Sequence, residues 1–99
     1  MKIHILSSAR DDLADGCRFY ELQDEGLGDY FLDSLFSDID SLALHAGIHR
    51  KVFGFFRLLS HRFPWAIYYR FDADGAVLVM RVLDCRLEPR RIRSALRRQ

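Results

Sequence analysis

The stretch PWAIYYRFDADGAVLVMRVLD, residues 64–84, decides the fold of this chain. Residues 65–72 are aromatic and β-branched, and Pro64 stands at the entry of a strand, where a proline is tolerated. Residues 72–75 (DADG) are typical of a hairpin turn, and residues 76–84 form an apolar run interrupted only by Arg81. The stretch therefore predicts two antiparallel strands joined by a tight turn.

Further strands and a terminal helix are predicted on either side of this hairpin. Residues 52–60 are rich in Phe and Leu, and residues 2–6 (KIHIL) alternate apolar and polar side chains, so each segment predicts a strand. After Glu88 and Pro89 the tail RRIRSALRRQ, residues 90–99, carries Ile92 and Leu96 four positions apart among five arginines. This spacing predicts a short basic helix.

Two helices are predicted between the first strand and the others. Residues 9–23 show helical spacing, with Ser7 and Ser8 as candidate N-caps, and residues 27–46 predict a longer amphipathic helix that ends at Gly47. Its expected buried stripe is Leu27, Phe31, Leu35, Ile39, Leu42 and Ala46, widened by Leu32 and Phe36. The order β-α-α-β-β-β predicts a single α+β domain over residues 1–99: an N-terminal strand, a helical hairpin, and a three-stranded antiparallel meander completing one sheet.

Composition and charge narrow the class of protein. Hydrophobic residues make up 49% and charged residues 29%, which is typical of a folded domain, and neither a membrane span nor a signal peptide is evident. We therefore expect a cytoplasmic protein. Residues 1–46 carry a net charge of −7 and residues 47–99 a net charge of +8, which indicates either an acidic or polyanionic partner, or two halves that neutralise each other.

Strand alternation predicts which side chains share a face of the sheet. We expect an arginine face, left uncovered by the helices, on which cations alternate with apolar side chains: Arg57, Arg70 and Arg81 with Phe55, Tyr68 and Val79. Such a face suits an acidic amphipathic segment or an RNA strand. The alternative is that these arginines are merely solvated at strand ends. Trp65 is expected to pack in the core on the other face.

Three segments resemble the RelE/ParE superfamily of toxins from toxin–antitoxin systems. Residues 25–32 (EGLGDYFL) are similar to the opening of the second helix in ParE-like toxins, residues 61–70 (HRFPWAIYYR) to a family strand, and residues 82–90 (VLDCRLEPR) to its closing segment. The resemblance spans residues 2–91. It implies a toxin neutralised by a cognate antitoxin, with operator DNA bound only through that antitoxin.

The superfamily divides by target, and the resemblance favours the ParE branch, which poisons DNA gyrase. The alternative is a RelE-like, ribosome-dependent mRNA endoribonuclease, and a third reading is a divergent module that only binds partners. One interferase subgroup ends its last strand with a His-Tyr pair where this chain has Glu88 and Pro89, and carries an arginine where this chain has Ala66. If the chain were an interferase, its candidate catalytic residues would be Arg62, Arg81, Arg86 and Glu88.

Candidate binding residues follow from these expectations, and no cofactor is expected. For antitoxin or target they are Phe55, Arg57, Tyr68, Arg70, Arg81, Arg90, Arg91 and Arg93. His45 and His49, four apart, are interpreted as unrelated surface histidines rather than metal ligands, and Asp38 and Asp40 point different ways. Cys17 and Cys85 are expected to be free and at least partly buried. We expect the basic tail to be dispensable for folding but required for toxicity.

Overall fold

The structure, a computed structural model, describes residues 1–98; Gln99, the last residue of the predicted tail, lies outside the described residues. The elements in chain order are β1 (Ile3–Ile5), α1 (Ser7–Glu21), α2 (Leu27–Asp40), α3 (Leu42–His45), β2 (Lys51–Val52), β3 (Phe55–Leu59), β4 (Trp65–Phe71), β5 (Val77–Asp84) and α4 (Pro89–Arg97). The strands form one sheet in the order β1-β5-β4-β3-β2, with β1 parallel to β5 and the other pairs antiparallel. The α+β prediction is confirmed.

The helical hairpin α1–α2 packs on one face of the sheet. The predicted stripe is buried here, with Phe31, Leu35, Ile39 and Leu42 at 0–1% exposure. The two helices approach closely at Gly28, where a Cβ atom would lie 2.7 Å from the Cys17 carbonyl oxygen. The Glu21 carboxylate accepts hydrogen bonds from the backbone N–H groups of Gly26 and Gly28, at 3.0 and 2.9 Å, and so fixes the start of α2.

Both helices differ in detail from the sequence prediction. Ser7 and Ser8 lie inside α1 rather than capping it, and the Ser8 hydroxyl donates to the Met80 carbonyl at 2.9 Å, which ties α1 to β5. The predicted helix over residues 27–46 is interrupted at Ser41, whose hydroxyl donates to the Asp38 carbonyl at 2.6 Å. Phe36, expected to widen the buried stripe, is 41% exposed.

The predicted strand over residues 52–60 is confirmed only in part: β3 covers Phe55–Leu59, whereas the residues before it form a turn and a separate short strand. Strands β2 and β3 form a tight hairpin, with Lys51 opposite Phe56 and Val52 opposite Phe55. Phe53 and Gly54 both have positive φ, 54° and 86°, as a two-residue hairpin turn requires. Phenylalanine rarely adopts this backbone conformation, and the apolar run hid the turn.

Helix α4 covers the face of the sheet that was expected to be open. Ile92, Ala95 and Leu96 are buried against Ala66, Tyr68 and Leu83, forming a second core cluster opposite the helical hairpin. The tail is helical, as predicted. The expectation that it is dispensable for folding assumed that only Ile92 and Leu96 would be buried. Ala95 is buried as well, and removing α4 would also expose the apolar surface beneath it.

A β-bulge changes the face assignment along β5. Tyr68 pairs with Arg81 whereas Tyr69 pairs with Val79, so one extra residue, Met80, stands between the two pairs. Val79 therefore lies in the core under the helical hairpin, and its assignment to the arginine face is wrong. Beyond the bulge, Arg81 does lie on the face that α4 covers.

Candidate functional site

Arg81 lies where β5, α1 and α4 meet, and it contacts both helices. Its Nε and Nη2 atoms donate to the two carboxylate oxygens of Asp12 on α1, at 2.7 and 2.9 Å. Its Nη1 atom donates to the carbonyl oxygens of Ala95 and Arg98, at 2.6 and 2.8 Å. Arg81 therefore satisfies carbonyl groups at the C-terminal end of α4, where a cation is favoured.

The Asp12–Arg81 ion pair is largely withdrawn from solvent. The side chains of Arg81 and Asp12 are 15% and 10% exposed, and Asp12 also accepts a hydrogen bond from the Val82 N–H at 3.0 Å. The hydrogen bonds that Arg81 donates to Asp12 raise the pKa of Arg81, and they outweigh the opposing effect of burial. Arg81 therefore makes contacts inside the protein, whereas the sequence predicted that it binds an external partner.

An open groove runs beside this ion pair, between α1 and α4. It has a volume of about 850 Å³, and Trp65 and Arg81 are among its lining residues. Asp12 and Asp15 line it from α1, whereas Arg90, Arg91 and Arg98 line it from the α4 segment. We name it the α4 groove; one wall carries negative charge and the other positive charge.

The predicted binding residues on the sheet are only partly accessible. Tyr68 is 2% exposed beneath α4, and burial raises the pKa of its hydroxyl against the opposing influence of Arg57. Phe55 is half-buried against the second core cluster. Arg70 is exposed. The structure therefore leaves Arg70, and in part Arg57, as the cations of the arginine face that a partner can reach.

The predicted binding arginines of the tail lie on the exposed side of α4. Arg90, Arg91 and Arg93 are all exposed. Arg90 pairs with Glu88 at 3.1 Å, and the Arg93 guanidinium lies 5.3 Å from the centre of the Phe53 ring. Because the apolar side of α4 is docked on the sheet, these arginines are presented outward on a fixed helix.

The four candidate interferase residues do not form one site. Arg62 lies over the Tyr30 ring at 5.9 Å, and Arg86 pairs with Asp84 at 2.7 Å. Glu88 is engaged by Arg90, and Arg81 by Asp12. The α4 groove, which Arg81 lines, is not lined by Arg62, Arg86 or Glu88.

A second group of polar residues was missed by the sequence reasoning. His45, His49 and His61 line one open groove of about 600 Å³ at the edge of β3, together with Arg50 and Arg57. His45 and His49 were interpreted as unrelated, but the fold brings them together with His61, which follows β3. His61 Nδ1 lies 2.6 Å from the carboxylate of Asp38 on α2. Nothing in the sequence links positions so far apart in the chain.

Other predicted features have clear positions in the structure. Trp65 lies in the core, as expected, and its Nε1 donates to the Tyr20 hydroxyl at 3.0 Å. Cys17 is half-buried, as expected. Cys85, expected to be at least partly buried, is exposed as a residue, although partial burial of its thiol raises the pKa of that group. Within residues 1–98 no group of three or more His, Cys, Asp and Glu side chains is placed to hold a metal ion. No helix of the described chain is long and apolar enough to cross a membrane.

Comparison with known proteins identifies the family. A solved structure described as the chromosomal ParDE TA system from P. aeruginosa contains a chain with a similar fold, at a TM-score of 0.69 and 18% identity, covering 83% of this chain and 92% of that chain. No curated protein matches the sequence. The family model "ParE toxin of type II toxin-antitoxin system, parDE" matches residues 3–88. The chain therefore belongs to the ParE toxin family of type II toxin–antitoxin systems.

Proposed function

We propose that this protein is a growth-arresting toxin that poisons DNA gyrase by binding to it and is neutralised by a cognate antitoxin. Membership of the ParE toxin family supports the toxin role. The single observation that favours binding over RNA cleavage is the dispersal of the candidate interferase residues. RNA cleavage by attack of a 2′-hydroxyl on the adjacent phosphate needs a base for that hydroxyl, an acid for the leaving oxygen and cations that bind the same phosphate. Here Arg81 is held by Asp12, and Arg86 by Asp84.

The exposed arginines of α4 are the surface that we assign to the target. Arg91 and Arg93 project from a helix whose other side is packed into the second core cluster. A fixed array of cations loses less side-chain and backbone entropy on binding than a disordered tail would. Because gyrase is a cytoplasmic enzyme, the proposal also places the protein in the cytoplasm.

The experiment compares the two targets with one purified preparation. Gyrase supercoiling of relaxed plasmid is measured alongside cleavage of message on programmed ribosomes. We expect inhibited supercoiling and intact message. We also expect the double variant Arg91→Glu/Arg93→Glu to lose inhibition, while Arg10→Glu, a charge reversal on the exposed side of α1, retains it. Ribosome-dependent cleavage with unaffected gyrase would refute the proposal.

A further inference from the structure

The groove at the edge of β3 carries cationic and imidazole side chains from separate parts of the chain. We name it the histidine groove; it is lined by Ser41, His45, Ile48, His49, Arg50, Arg57, Leu58, Leu59 and His61. None of these lining residues in the described chain is acidic. Its volume of about 600 Å³ lies in the range of small-molecule sites. The groove therefore has room and charge for an anionic ligand.

The buried hydroxyl of Tyr69 fixes one of the histidines. This hydroxyl accepts a hydrogen bond from the Gly47 N–H at 2.8 Å and lies 2.5 Å from Nδ1 of His49. We assign the one proton of the hydroxyl to Nδ1 of His49, which a neutral imidazole offers as an acceptor. His49 then carries its own proton on Nε2. Burial, together with neighbouring His45, lowers the pKa of His49, which favours this neutral form.

The buried carboxylate of Asp38 fixes a second histidine. The Asp38 side chain is 7% exposed, whereas that of His61 is 78% exposed. Asp38 accepts from Nδ1 of His61 at 2.6 Å and from the His61 backbone N–H at 3.4 Å. Nε2 of His61 is the nitrogen left for a ligand. It donates when the ring is an imidazolium and accepts when the ring is neutral, so it suits either protonation state of a phosphate.

We propose that the histidine groove binds the phosphate group of a phosphate ester. Nε2–H of His49, Nε2 of His61 and the Arg50 guanidinium come from three positions around the groove. Three separate polar groups suit the several oxygens of a tetrahedral phosphate better than a planar carboxylate. Ile48 and Leu59, which are 74% and 52% exposed, line the same groove and offer apolar contact to the organic part of the ester.

The test is titration of the full-length protein followed by NMR of backbone amides and imidazole rings. The probes are inorganic phosphate, a mononucleotide and a short single-stranded oligonucleotide, each at fixed pH and ionic strength. We expect shift changes centred on His49, Arg50 and His61. Arg50→Gln and His61→Gln should each weaken binding about tenfold, because each removes a charge-assisted contact. Arg10→Gln, which removes an exposed charge on α1, should leave affinity unchanged.

The three probes separate the sources of phosphate. Binding of the mononucleotide indicates a free phosphate ester, and binding of the oligonucleotide alone indicates a nucleic-acid backbone; both support the proposal. Changes centred on α4, or equal losses for Arg50→Gln and Arg10→Gln, would overturn it, as would no change with any probe. The amide spectrum of each variant verifies its fold. Because the readout is binding at the histidine groove, it is independent of gyrase inhibition.

Discussion

Arg81 and Asp12 form a two-bond ion pair that joins β5 to α1, and the same guanidinium holds the C-terminal end of α4. One side chain thus connects the two layers that cover opposite faces of the sheet. Because Arg81 contacts both layers, we expect the packing of α1 on the sheet and the docking of α4 to depend on each other.

Loss of Arg81 should therefore destabilise the protein strongly. Arg81→Leu leaves the carboxylate of Asp12 largely buried and without its cation, and we expect the free energy of unfolding to fall by about 3 kcal/mol. Urea denaturation measures this change. The double variant Asp12→Asn/Arg81→Leu should recover at least about 1 kcal/mol of the sum of the single losses, because the two residues interact directly.

The matched control is Arg10→Leu, since Arg10 is an exposed arginine on α1. Its effect should stay within about 0.5 kcal/mol. Equal losses for Arg81→Leu and Arg10→Leu would show that the ion pair contributes nothing to stability.

The apolar side of α4 should be needed for folding. Leu96 is 2% exposed in the second core cluster, so Leu96→Ala should cost about 2–4 kcal/mol and lower the melting temperature by about 10 °C or more. The neighbouring variant Arg97→Ala, at an exposed position, should leave the melting temperature within a few degrees. Truncation after Pro89 removes Ile92, Ala95 and Leu96 together and should lower it further than Leu96→Ala. A truncated chain as stable as the full chain would contradict the docked helix.

The local sequence pattern predicted the helices and strands of this fold better than it predicted which side chains lie on which face of the sheet. Local signals were enough for two features: the turn residues predict the hairpin of residues 64–84, and the helical spacing of apolar residues predicts the buried stripe of α2. The bulge after Tyr68 adds one residue to β5, and this shift of one reversed the expected face of Val79. The turn at Phe53 was hidden because a phenylalanine with positive φ is rare.

The site was harder to predict because its contacts join distant parts of the chain. Arg81 was identified as important from its position in an apolar strand, but its partner Asp12 lies on α1, and no spacing rule connects them. The pairing of His61 with Asp38 is equally non-local. The five arginines of the tail were evident, whereas the use of Ile92 and Leu96 to cover the sheet depends on the shape of the cluster that receives them.

Asp84 should make stability depend on pH in acid. The hydrogen bond from Arg86 lowers the pKa of Asp84, against the opposing effect of burial. In the unfolded chain this carboxyl titrates near its ordinary value of about 3.9. Since the folded pKa is the lower one, the stabilisation is fully present above that value and is lost as the pH falls through the folded pKa. Between pH 5 and pH 2.5 the wild-type protein should therefore lose more stability than Asp84→Asn.

The variant Arg86→Gln tests the cause assigned to this shift. It removes the side-chain donors but leaves the carboxylate and the Arg86 backbone N–H in place, so it should reduce the loss of stability over the same pH range. Urea denaturation at several pH values measures all three proteins. A wild-type profile parallel to both variants would show that the Asp84–Arg86 pair has no influence on stability in acid.

Neutralisation by the antitoxin should depend on the cations that the fold leaves exposed. Arg70 lies on β4 and Arg93 on α4, and both are exposed, whereas Arg81 is committed to Asp12. An acidic antitoxin segment crossing this side would place carboxylates near both arginines, and charge-assisted contacts contribute about 1.5–3 kcal/mol each. Arg70→Glu/Arg93→Glu should therefore weaken the complex at least tenfold and reduce its salt dependence, as measured by calorimetry at two salt concentrations. Arg10→Glu, with a single reversal on α1, should bind like the wild type; if it weakens binding as much as the double variant, the antitoxin responds to net charge rather than to this surface.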